Sequence, residues 1–344
     1  MNFTSDNTSG MAPEILAALT RVNDGDVPSY GADRWSGALD DAFGALFETP
    51  VRVFTVTTGT AANALALAQL TPPWGAVFCH EGAHINADEC GAPEFFNPGA
   101  KLIPVAGHDG KMTPATLEAV LALFEPGSIS QVQPAALSLS QASEAGTIYT
   151  PSEIAALTAI ARAHGLKVHM DGARFANALV TLGATPADVT WRAGIDVLSF
   201  GATKNGAMMA EAVVFFRPEL AEAFSFRRKR AGQILSKARF PAAQLLAYIE
   251  DRLWLRLAAH ANQMAQRLAA GLAKAGVAPV HPVEANEVFV RLTKPRAEAL
   301  RKAGVSFYDW PAPGIGPNVY RLVTSFTTTP ESVDALLSLM KTQP

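Results

Sequence analysis

Short apolar runs alternate along most of the chain with longer stretches rich in alanine and leucine. Several short runs are apolar at every position, which is typical of strands covered on both faces of a sheet. Their alternation with helical stretches predicts a layered α/β fold. Pro104 makes the third strand the weakest prediction, because proline is tolerated only at a sheet edge or a bulge. The predicted strands are Val51–Thr57, Ala76–Cys79, Leu102–Val105, Ala136–Leu139, Leu166–Met170, Ile195–Phe200 and Ala212–Phe216.

The stretches between these strands predict helices whose first residues carry recognisable signals. Three of the four begin at a proline, which suits a first helical turn because its backbone nitrogen needs no partner there. Thr150 and Glu153 also have the spacing of a capping box. The predicted helices are Ala61–Leu70, Pro114–Phe124, Pro151–His164 and Pro186–Ala193.

The pattern changes after about residue 240 and indicates a second, smaller unit. A turn-rich loop is predicted at residues 312–317, where prolines and glycines cluster. The other elements predicted in this part are a long helix over Pro241–Ala275, short strands near Glu287–Leu292 and Tyr320–Val323, and a closing helix over Pro330–Met340. The domain organisation predicted from this change is an N-terminal arm (1–14), a large domain (15–240) and a small C-terminal domain (241–344).

Composition narrows the class of protein. At 344 residues, 49% of them hydrophobic, the chain is long enough to bury a large core. No apolar stretch reaches the roughly 18 residues of a membrane span, and the polar start does not resemble an export signal. Cys79 and Cys90 are too few for a disulfide framework, so we expect a reducing, cytoplasmic location. A net charge of −3 argues against nucleic acid as the partner, and no metal site is predicted.

Two polar residues follow successive predicted strands. Asp171 comes directly after Met170, and Lys204 lies just past Phe200. Ligands of open α/β sheets bind beyond the carboxyl ends of strands, so both side chains are candidates for one site. Pyridoxal 5′-phosphate (PLP) needs a lysine amine for covalent attachment and an anion beside its pyridine nitrogen, which this pair would supply. Taken singly, each residue has an ordinary alternative as part of an Asp-Gly or Asn-Gly turn.

A phosphate cradle is predicted where the first strand meets the first helix. Thr58, Gly59 and Thr60 offer hydroxyl groups, a permissive glycine and the free backbone N–H groups of a helix start. The alternative is a plain threonine cap followed by a turn glycine. No Gly-x-Gly-x-x-Gly or Walker sequence follows any predicted strand, so nicotinamide and nucleoside triphosphate cofactors lack their usual signature.

Taken in order, these motifs resemble those of a known family. Thr58–Thr60, His84, Asp171–Arg174 and Thr203–Asn205 are similar to the motifs of fold type I PLP enzymes. More narrowly, they resemble the low-specificity L-threonine aldolases of the β-eliminating lyase group, from Ser5 to beyond Tyr320. The resemblance implies PLP as the cofactor, a large domain with a mostly parallel seven-stranded sheet, and a small C-terminal α+β domain.

The resemblance also implies roles for individual residues. His84 would stack on the pyridine ring, and Arg174 would reach the cofactor's phenolic oxygen or the substrate carboxylate. Arg321 and Ser5 would be further carboxylate contacts, from the small domain and the N-terminal arm. The ordinary alternatives are a loop histidine for His84, a surface charge at a strand end for Arg321 and a capping or turn serine for Ser5. Lys204 would hold the cofactor, and Asp171 would face the ring nitrogen.

Two further residues are implied to act between subunits. Lys229, within the basic cluster 227–230, would lie near the phosphate of a neighbouring subunit, and Tyr30 would line a partner's substrate site. Both roles require an oligomer, and the resemblance implies a homotetramer built as a dimer of dimers. The alternative for the basic cluster is an ordinary solvated face, and a simple dimer stays open.

One position departs from the family pattern. Some threonine aldolases carry a histidine beside the ring in the segment that here contains Gln141. Gln141 can hydrogen-bond near the cofactor but cannot act as a general base. The proton acceptor is therefore open, with His84 and Glu89 as the candidates.

The activity implied by the resemblance is cleavage of β-hydroxy-α-amino acids. L-threonine and L-allo-threonine would give glycine and acetaldehyde, and phenylserine is a further expected substrate. The alternatives are another fold type I PLP lyase or aminotransferase, or a protein that kept the fold without activity. The presence of Lys204, Asp171 and the threonine loop disfavours the inactive alternative.

Overall fold

A seven-stranded sheet forms the centre of the larger unit in the computed structural model, which describes residues 1–310 and 315–342. Its strand order is β1-β9-β8-β7-β6-β2-β3 in the numbering below. Strand β9 is antiparallel to both neighbours, and the other adjacent pairs are parallel. The strands are β1 (Arg52–Val56), β2 (Gly75–His80), β3 (Lys101–Val105), β6 (Gln133–Ser140), β7 (Lys167–Gly172), β8 (Val197–Gly201) and β9 (Glu211–Phe215), with a hairpin of β4 (Gly107–His108) and β5 (Lys111–Met112).

All seven predicted strands are therefore confirmed as members of one mostly parallel sheet. Pro104 lies in β3 at the edge of the sheet, where its missing N–H costs no ladder hydrogen bond. The capping box is also confirmed, since Thr150 and Glu153 each bond to the other's backbone N–H.

Helices cover both faces of this sheet and much of the second unit. Five single turns of 3-10 helix lie between them, at residues 6–8, 191–193, 203–205, 218–221 and 250–252. The helices are α1 (Pro13–Val22), α2 (Arg34–Gly37), α3 (Leu39–Phe47), α4 (Gly59–Leu70), α5 (His84–Ala87), α6 (Ala92–Phe96), α7 (Pro114–Leu121), α8 (Pro151–Ala163), α9 (Phe175–Leu182), α10 (Pro186–Val189), α11 (Phe224–Arg230), α12 (Arg239–Ile249), α13 (Leu253–Lys274), α14 (Lys294–Lys302) and α15 (Pro330–Thr342).

Two helix predictions were wrong in extent. The single helix predicted over 241–275 is two helices, α12 and α13, because Asp251 and Arg252 adopt left-handed φ angles of 48° and 57° that an α-helix cannot continue through. The helix predicted over 186–193 ends at Val189, because Thr190 leaves the helical region with ψ −106° before a 3-10 turn. Part of the loop predicted at 312–317 lies outside the described residues.

The second unit contains the strands β10 (Glu287–Arg291), β11 (Tyr308–Asp309) and β12 (Val319–Val323), in the order β10-β12-β11 and antiparallel. The N-terminal arm joins it, since the backbone N–H of Phe3 bonds to Ser306 O at 2.8 Å and that of Val323 bonds to Phe3 O at 2.9 Å. Within the described residues, no helix combines the length and apolar character needed to cross a membrane.

The hydrophobic cores divide inside α13. The core of the large sheet extends through α12 to Ala258, whereas the core of the small sheet begins at Met264 and includes Phe3 from the arm. The core of the large sheet thus extends past residue 240, and the domain boundary predicted at 240/241 stays a prediction.

Aromatic packing fixes the strand that leads to the candidate lysine. Phe200, the fourth residue of β8, is buried among five other aromatic rings, with centroid distances of 5.1 Å to Phe43 and 5.5 Å to Trp254. Next to it, a Cβ at Gly201 would lie 2.6 Å from Ala173 O, so only glycine allows this close approach. The end of β8 is thus held against the turn that follows β7.

Candidate active site

The carboxyl ends of β6, β7 and β8 converge on the N-terminal half of α4. Asp171 is the fifth residue of β7, and Lys204 lies in the 3-10 turn that follows β8. These strands are adjacent and parallel, with Asp171 paired to Ser199. The structure therefore places the two main sequence candidates at the same edge of the sheet, as expected.

Asp171 is buried, and both of its carboxylate oxygens have a donor. Asn63 Nδ2 donates to Oδ2 at 2.8 Å, and the backbone N–H of Ala173 donates to Oδ1 at 3.0 Å. His169, two residues earlier on the same face, is bonded through its two ring nitrogens to serine hydroxyls. Burial lowers the pKa of His169 to about 4, so this ring is neutral at neutral pH. The Asp171 carboxylate is therefore held in one orientation.

His84 is linked to Asp171 through two buried side chains. His84 Nδ1 lies 2.9 Å from Glu89 Oε1, and the same oxygen accepts a hydrogen bond from Asn63 Nδ2 at 2.9 Å. The hydrogen bond to Glu89 raises the pKa of His84 against the opposing effect of burial. The negative charges of Glu144 and Asp171 raise this pKa further, and the positive charge of Lys204 lowers it.

Lys204 is half-buried, and its amine has no hydrogen bond or ion pair with any residue in the described parts of the chain. The turn that carries it is anchored by Glu211, whose carboxylate accepts from the backbone N–H groups of Ala202 at 3.1 Å and Thr203 at 3.3 Å. Burial raises the pKa of Glu211 to about 7. The lysine backbone is therefore fixed while its amine stays free to react.

Arg174 and Arg321 are brought together by acidic residues. Arg174 forms a two-point hydrogen-bonded pair with Asp6, at 2.8 and 3.1 Å. Glu287 lies between the arginines, with its oxygens 3.3 Å from Arg174 Nη1 and 3.5 Å from Arg321 Nη1. The Arg321 guanidinium also lies 4.1 Å from the Trp310 ring centroid. The guanidinium groups of Arg174 and Arg321 thus lie on either side of Glu287, and Asp6 and Glu287 already neutralise part of their positive charge.

The threonine loop has the geometry of a helix N-terminus open to a ligand. The Thr58 hydroxyl caps α4 by accepting from the N–H of Ala61 at 3.1 Å. A Cβ built on Gly59 would meet nothing within 4 Å, so there is open space beside Gly59 and Thr60. Ser5 acts as a cap as well, because its hydroxyl accepts from the N–H of Asn7 at 3.1 Å. Thr58 and Ser5 are therefore both helix caps, as their ordinary alternatives predicted, and a capping hydroxyl can still contact a ligand.

Gln141 uses its amide elsewhere. Its Nε2 donates to Tyr149 O at 2.8 Å, and its Oε1 accepts from Tyr149 N at 3.0 Å, in a fully buried position. Lys229 lies on exposed α11, where its amine is 5.1 Å from the ring centroid of the exposed Tyr30. The roles predicted for Gln141, Lys229 and Tyr30 stay predictions.

A cleft of about 1390 Å³ opens between the two units beside this cluster. Glu144, after β6, lines it from the large domain, and His281 and Trp310 line it from the small domain. The side chains of His281 and Asp109 join its two walls at 2.7 Å. Burial and the nearby Glu287 raise the pKa of Glu144. Its lining does not include His84, Asp171 or Lys204, so the cleft lies next to the site and does not itself contain it.

The arrangement fits PLP. The free Lys204 amine, the oriented Asp171 carboxylate and the open start of α4 supply the attachment point, the ring-nitrogen partner and the phosphate donors that this cofactor needs. Asn63 Oδ1 and Glu89 Oε2 are buried without a partner within the described residues, as polar atoms facing a ligand space would be. The fold and these groups define a PLP-dependent enzyme of fold type I.

Comparison with known proteins identifies the family. The family model described as beta-eliminating lyase matches residues 2–295. The chain is 46% identical to the low specificity L-threonine aldolase of Pseudomonas sp. strain NCIMB 10558, covering 95% of this chain and 93% of that one. The same identity holds for the enzyme of that name from Pseudomonas aeruginosa, over 97% and 95%. The chain belongs to the beta-eliminating lyase family.

A solved structure agrees with this assignment. The threonine aldolase of Leishmania major superposes with a TM-score of 0.93 at 30% identity, covering 99% of this chain and 98% of that one. The family, the fold class and the PLP cofactor predicted from the sequence are confirmed.

Sequence reasoning missed several groups of the site. Asn63 has a visible signal, because it is the only polar residue between Thr60 and Gln69 in an otherwise apolar helix. Glu211 likewise stands alone at the start of an apolar run. Asp6 and Glu287 have no such signal, since they approach Arg174 from the arm and from the small sheet.

Proposed function

We propose that this protein is a carbon–carbon lyase that cleaves L-threonine, L-allo-threonine and related β-hydroxy-α-amino acids to glycine and an aldehyde. The observation that carries the proposal is the meeting of Lys204, Asp171 and the His84–Glu89 pair at one edge of the sheet. The names of the Pseudomonas and Leishmania relatives support the same reaction.

Different residues of the site bind the cofactor and the substrate. When bound, PLP supplies an electron sink for the substrate's α-carbon. Asp171 keeps a proton on the ring nitrogen, and the backbone N–H groups at Gly59 and Thr60 hold the phosphate. Arg174 and Arg321 bind the substrate carboxylate, since a guanidinium has five N–H donors and the contacts to Asp6 and Glu287 leave some of them free. Ser5, from the arm, adds a hydroxyl.

His84 is the proposed base. A neutral ring that donates its Nδ1 proton to Glu89 leaves Nε2 as the acceptor. Nε2 takes the proton of the β-hydroxyl group, directly or through one water, as the Cα–Cβ bond breaks and the aldehyde leaves. A proton delivered to Cα completes glycine. Glu89 fixes the ring orientation and stabilises its charged form.

An aromatic residue near the proposed carboxylate contacts bears on the range of substrates. The Trp310 ring centroid lies 4.1 Å from the guanidinium of Arg321, so a flat aromatic face is available beside the proposed carboxylate contact. We infer that aromatic β-substituents such as that of phenylserine are accepted.

The test is a product assay with PLP-loaded protein. Incubation with L-threonine, L-allo-threonine and L-phenylserine should release glycine and aldehyde in equal amounts. Transamination of pyruvate without aldehyde release would favour the aminotransferase alternative instead. A protein that stays colourless with PLP and inactive would favour the non-enzymatic alternative.

The assembly and location are further proposals. The exposed Tyr30 and Lys229 lie side by side on one surface, which supports their predicted placement at a partner's site in a homotetramer. Analytical ultracentrifugation would distinguish a tetramer from a dimer. The cytoplasmic location rests on the cysteine content, with both Cys79 and Cys90 free.

A further inference from the structure

Asn63 joins two acidic groups through a single nitrogen. It is buried on α4, and its Nδ2 lies 2.9 Å from Glu89 Oε1 and 2.8 Å from Asp171 Oδ2. Both neighbours are carboxylates, so the amide nitrogen rather than the oxygen must face them. Each of its two N–H groups therefore serves one carboxylate.

This contact completes a chain of hydrogen bonds across three parts of the fold. Glu89 Oε1 also contacts His84 Nδ1, at 2.9 Å. The path runs from the imidazole to Glu89, through Asn63, to Asp171 at the end of β7. An amide suits the middle position because it offers two donors and carries no charge, whereas a carboxylate there would add a third acid.

We propose that Asn63 is a positioning residue that orients Glu89 and Asp171 together and so couples the acid–base histidine to the carboxylate facing the cofactor ring. The functional meaning rests on the proposed roles of His84 and Asp171. The network consists only of the chain's own side chains, so it can be tested in cofactor-free protein.

The surroundings give the direction of the expected effect. His84 contacts Glu89, and its pKa also responds to the charges of Glu144, Asp171 and Lys204. Asp171 is faced on its own strand by His169, which is neutral because burial lowers its pKa to about 4. Removing the Asn63 donors leaves the carboxylates less well solvated, and their negative potential at His84 increases. The pKa of His84 should then rise.

The first experiment is an NMR titration of labelled histidines in the cofactor-free protein. Asn63→Leu removes both donors and keeps the branching and the number of side-chain heavy atoms, and the pKa of His84 should move up from its wild-type value. Gln69→Leu is the matched control. Gln69 lies on the same helix; its amide nitrogen bridges the backbone oxygens of Leu220 and Glu222, and its oxygen accepts from Arg227, so none of its partners is Glu89 or Asp171.

The holoenzyme gives a second readout. Asn63→Leu should lower kcat about 10- to 100-fold, the range typical when a residue that supports functional groups is lost. KM should change by less than about threefold, because no substrate contact is removed. Gln69→Leu should match the wild type in both constants. A lower kcat with the wild-type His84 titration would overturn the coupling.

A serine variant keeps the test sharp if Asn63→Leu does not fold. Asn63→Ser is smaller and replaces the two N–H donors by one shorter hydroxyl donor, so its His84 pKa should also lie above that of wild type. A titration identical to wild type in a folded variant would overturn the proposal. Absence of aldol cleavage in the wild type would refute the proposed function and leave this titration unaffected.

Discussion

Replacement of Asp6 by alanine tests the buried ion pair that links the N-terminal arm to Arg174. The carboxylate accepts from Arg174 at 2.8 and 3.1 Å and from Asn286 at 3.0 Å, with both charged side chains almost fully buried. Burial opposes ionisation of Asp6, but Arg174 and Lys204 lower its pKa below the ordinary value of 3.8. Its ionised form therefore stabilises the fold at neutral pH.

The free energy of unfolding should fall by a large amount for the loss of one side chain. Removing one partner of a buried ion pair costs about 3–5 kcal/mol, because a buried charge is left uncompensated. Glu287 still contacts Arg174 at 3.3 Å, which places Asp6→Ala near the lower end, at roughly 3 kcal/mol. The same change should raise KM for the amino acid, since Arg174 loses the contact that orients it.

The assay is urea unfolding at pH 7, comparing midpoints. Asp188→Ala is the control, because Asp188 also pairs with an arginine, Arg192, but on an exposed surface where little stability depends on it. The stability from Asp6 is present above pH 3.8 and is lost as pH falls through its lower folded pKa. An Asp6→Ala midpoint equal to that of wild type at pH 7 would refute the reasoning.

Three further predictions follow from other contacts. Glu89→Gln removes the partner that raises the pKa of His84. In wild type this partner contributes stability that is present below pH 6.5 and lost as the pH rises through the folded pKa of His84, so the variant should be less stable than wild type at pH 6 but not at pH 9. Urea unfolding midpoints at the two pH values check this, and an equal loss of stability at both would contradict it. Glu211→Gln should be more stable than wild type above about pH 7 and not below pH 4.5. The pKa of Glu211 is raised, so ionisation of this carboxyl at higher pH lowers the stability of the wild-type fold. A variant with the same pH dependence of stability as wild type would contradict this. Phe200→Ala should cost about 3–5 kcal/mol in urea unfolding, whereas the exposed Phe95→Ala should cost little; similar losses would contradict the proposed core.

The sequence predicted the sheet well because its strands carry their own signal. The seven strands are short and mostly apolar, several of them along a continuous run, so all seven were recognisable, including β3 with its edge proline. The break between α12 and α13 was missed because Asp251 and Arg252 have no glycine or proline to mark their left-handed backbone. Tertiary packing, rather than local preference, holds that conformation.

The residues of the candidate site likewise include some that the sequence predicted and some that it did not. Lys204 and Asp171 were found because each follows an apolar strand, and the ends of adjacent parallel strands meet. Asp6 and Glu287 were not found, since they come from the arm and the small sheet and acquire meaning only through their distances to Arg174. Contacts between distant segments leave no local pattern.

The attachment of PLP to Lys204 is the claim on which the rest of the account depends. Borohydride reduction of the PLP-loaded protein, followed by peptide mass mapping, should place the pyridoxyl group on Lys204. The label should be lost in Lys204→Ala and kept in Lys274→Ala, whose amine is exposed on α13. A label on another lysine, or no label at all, would contradict the account.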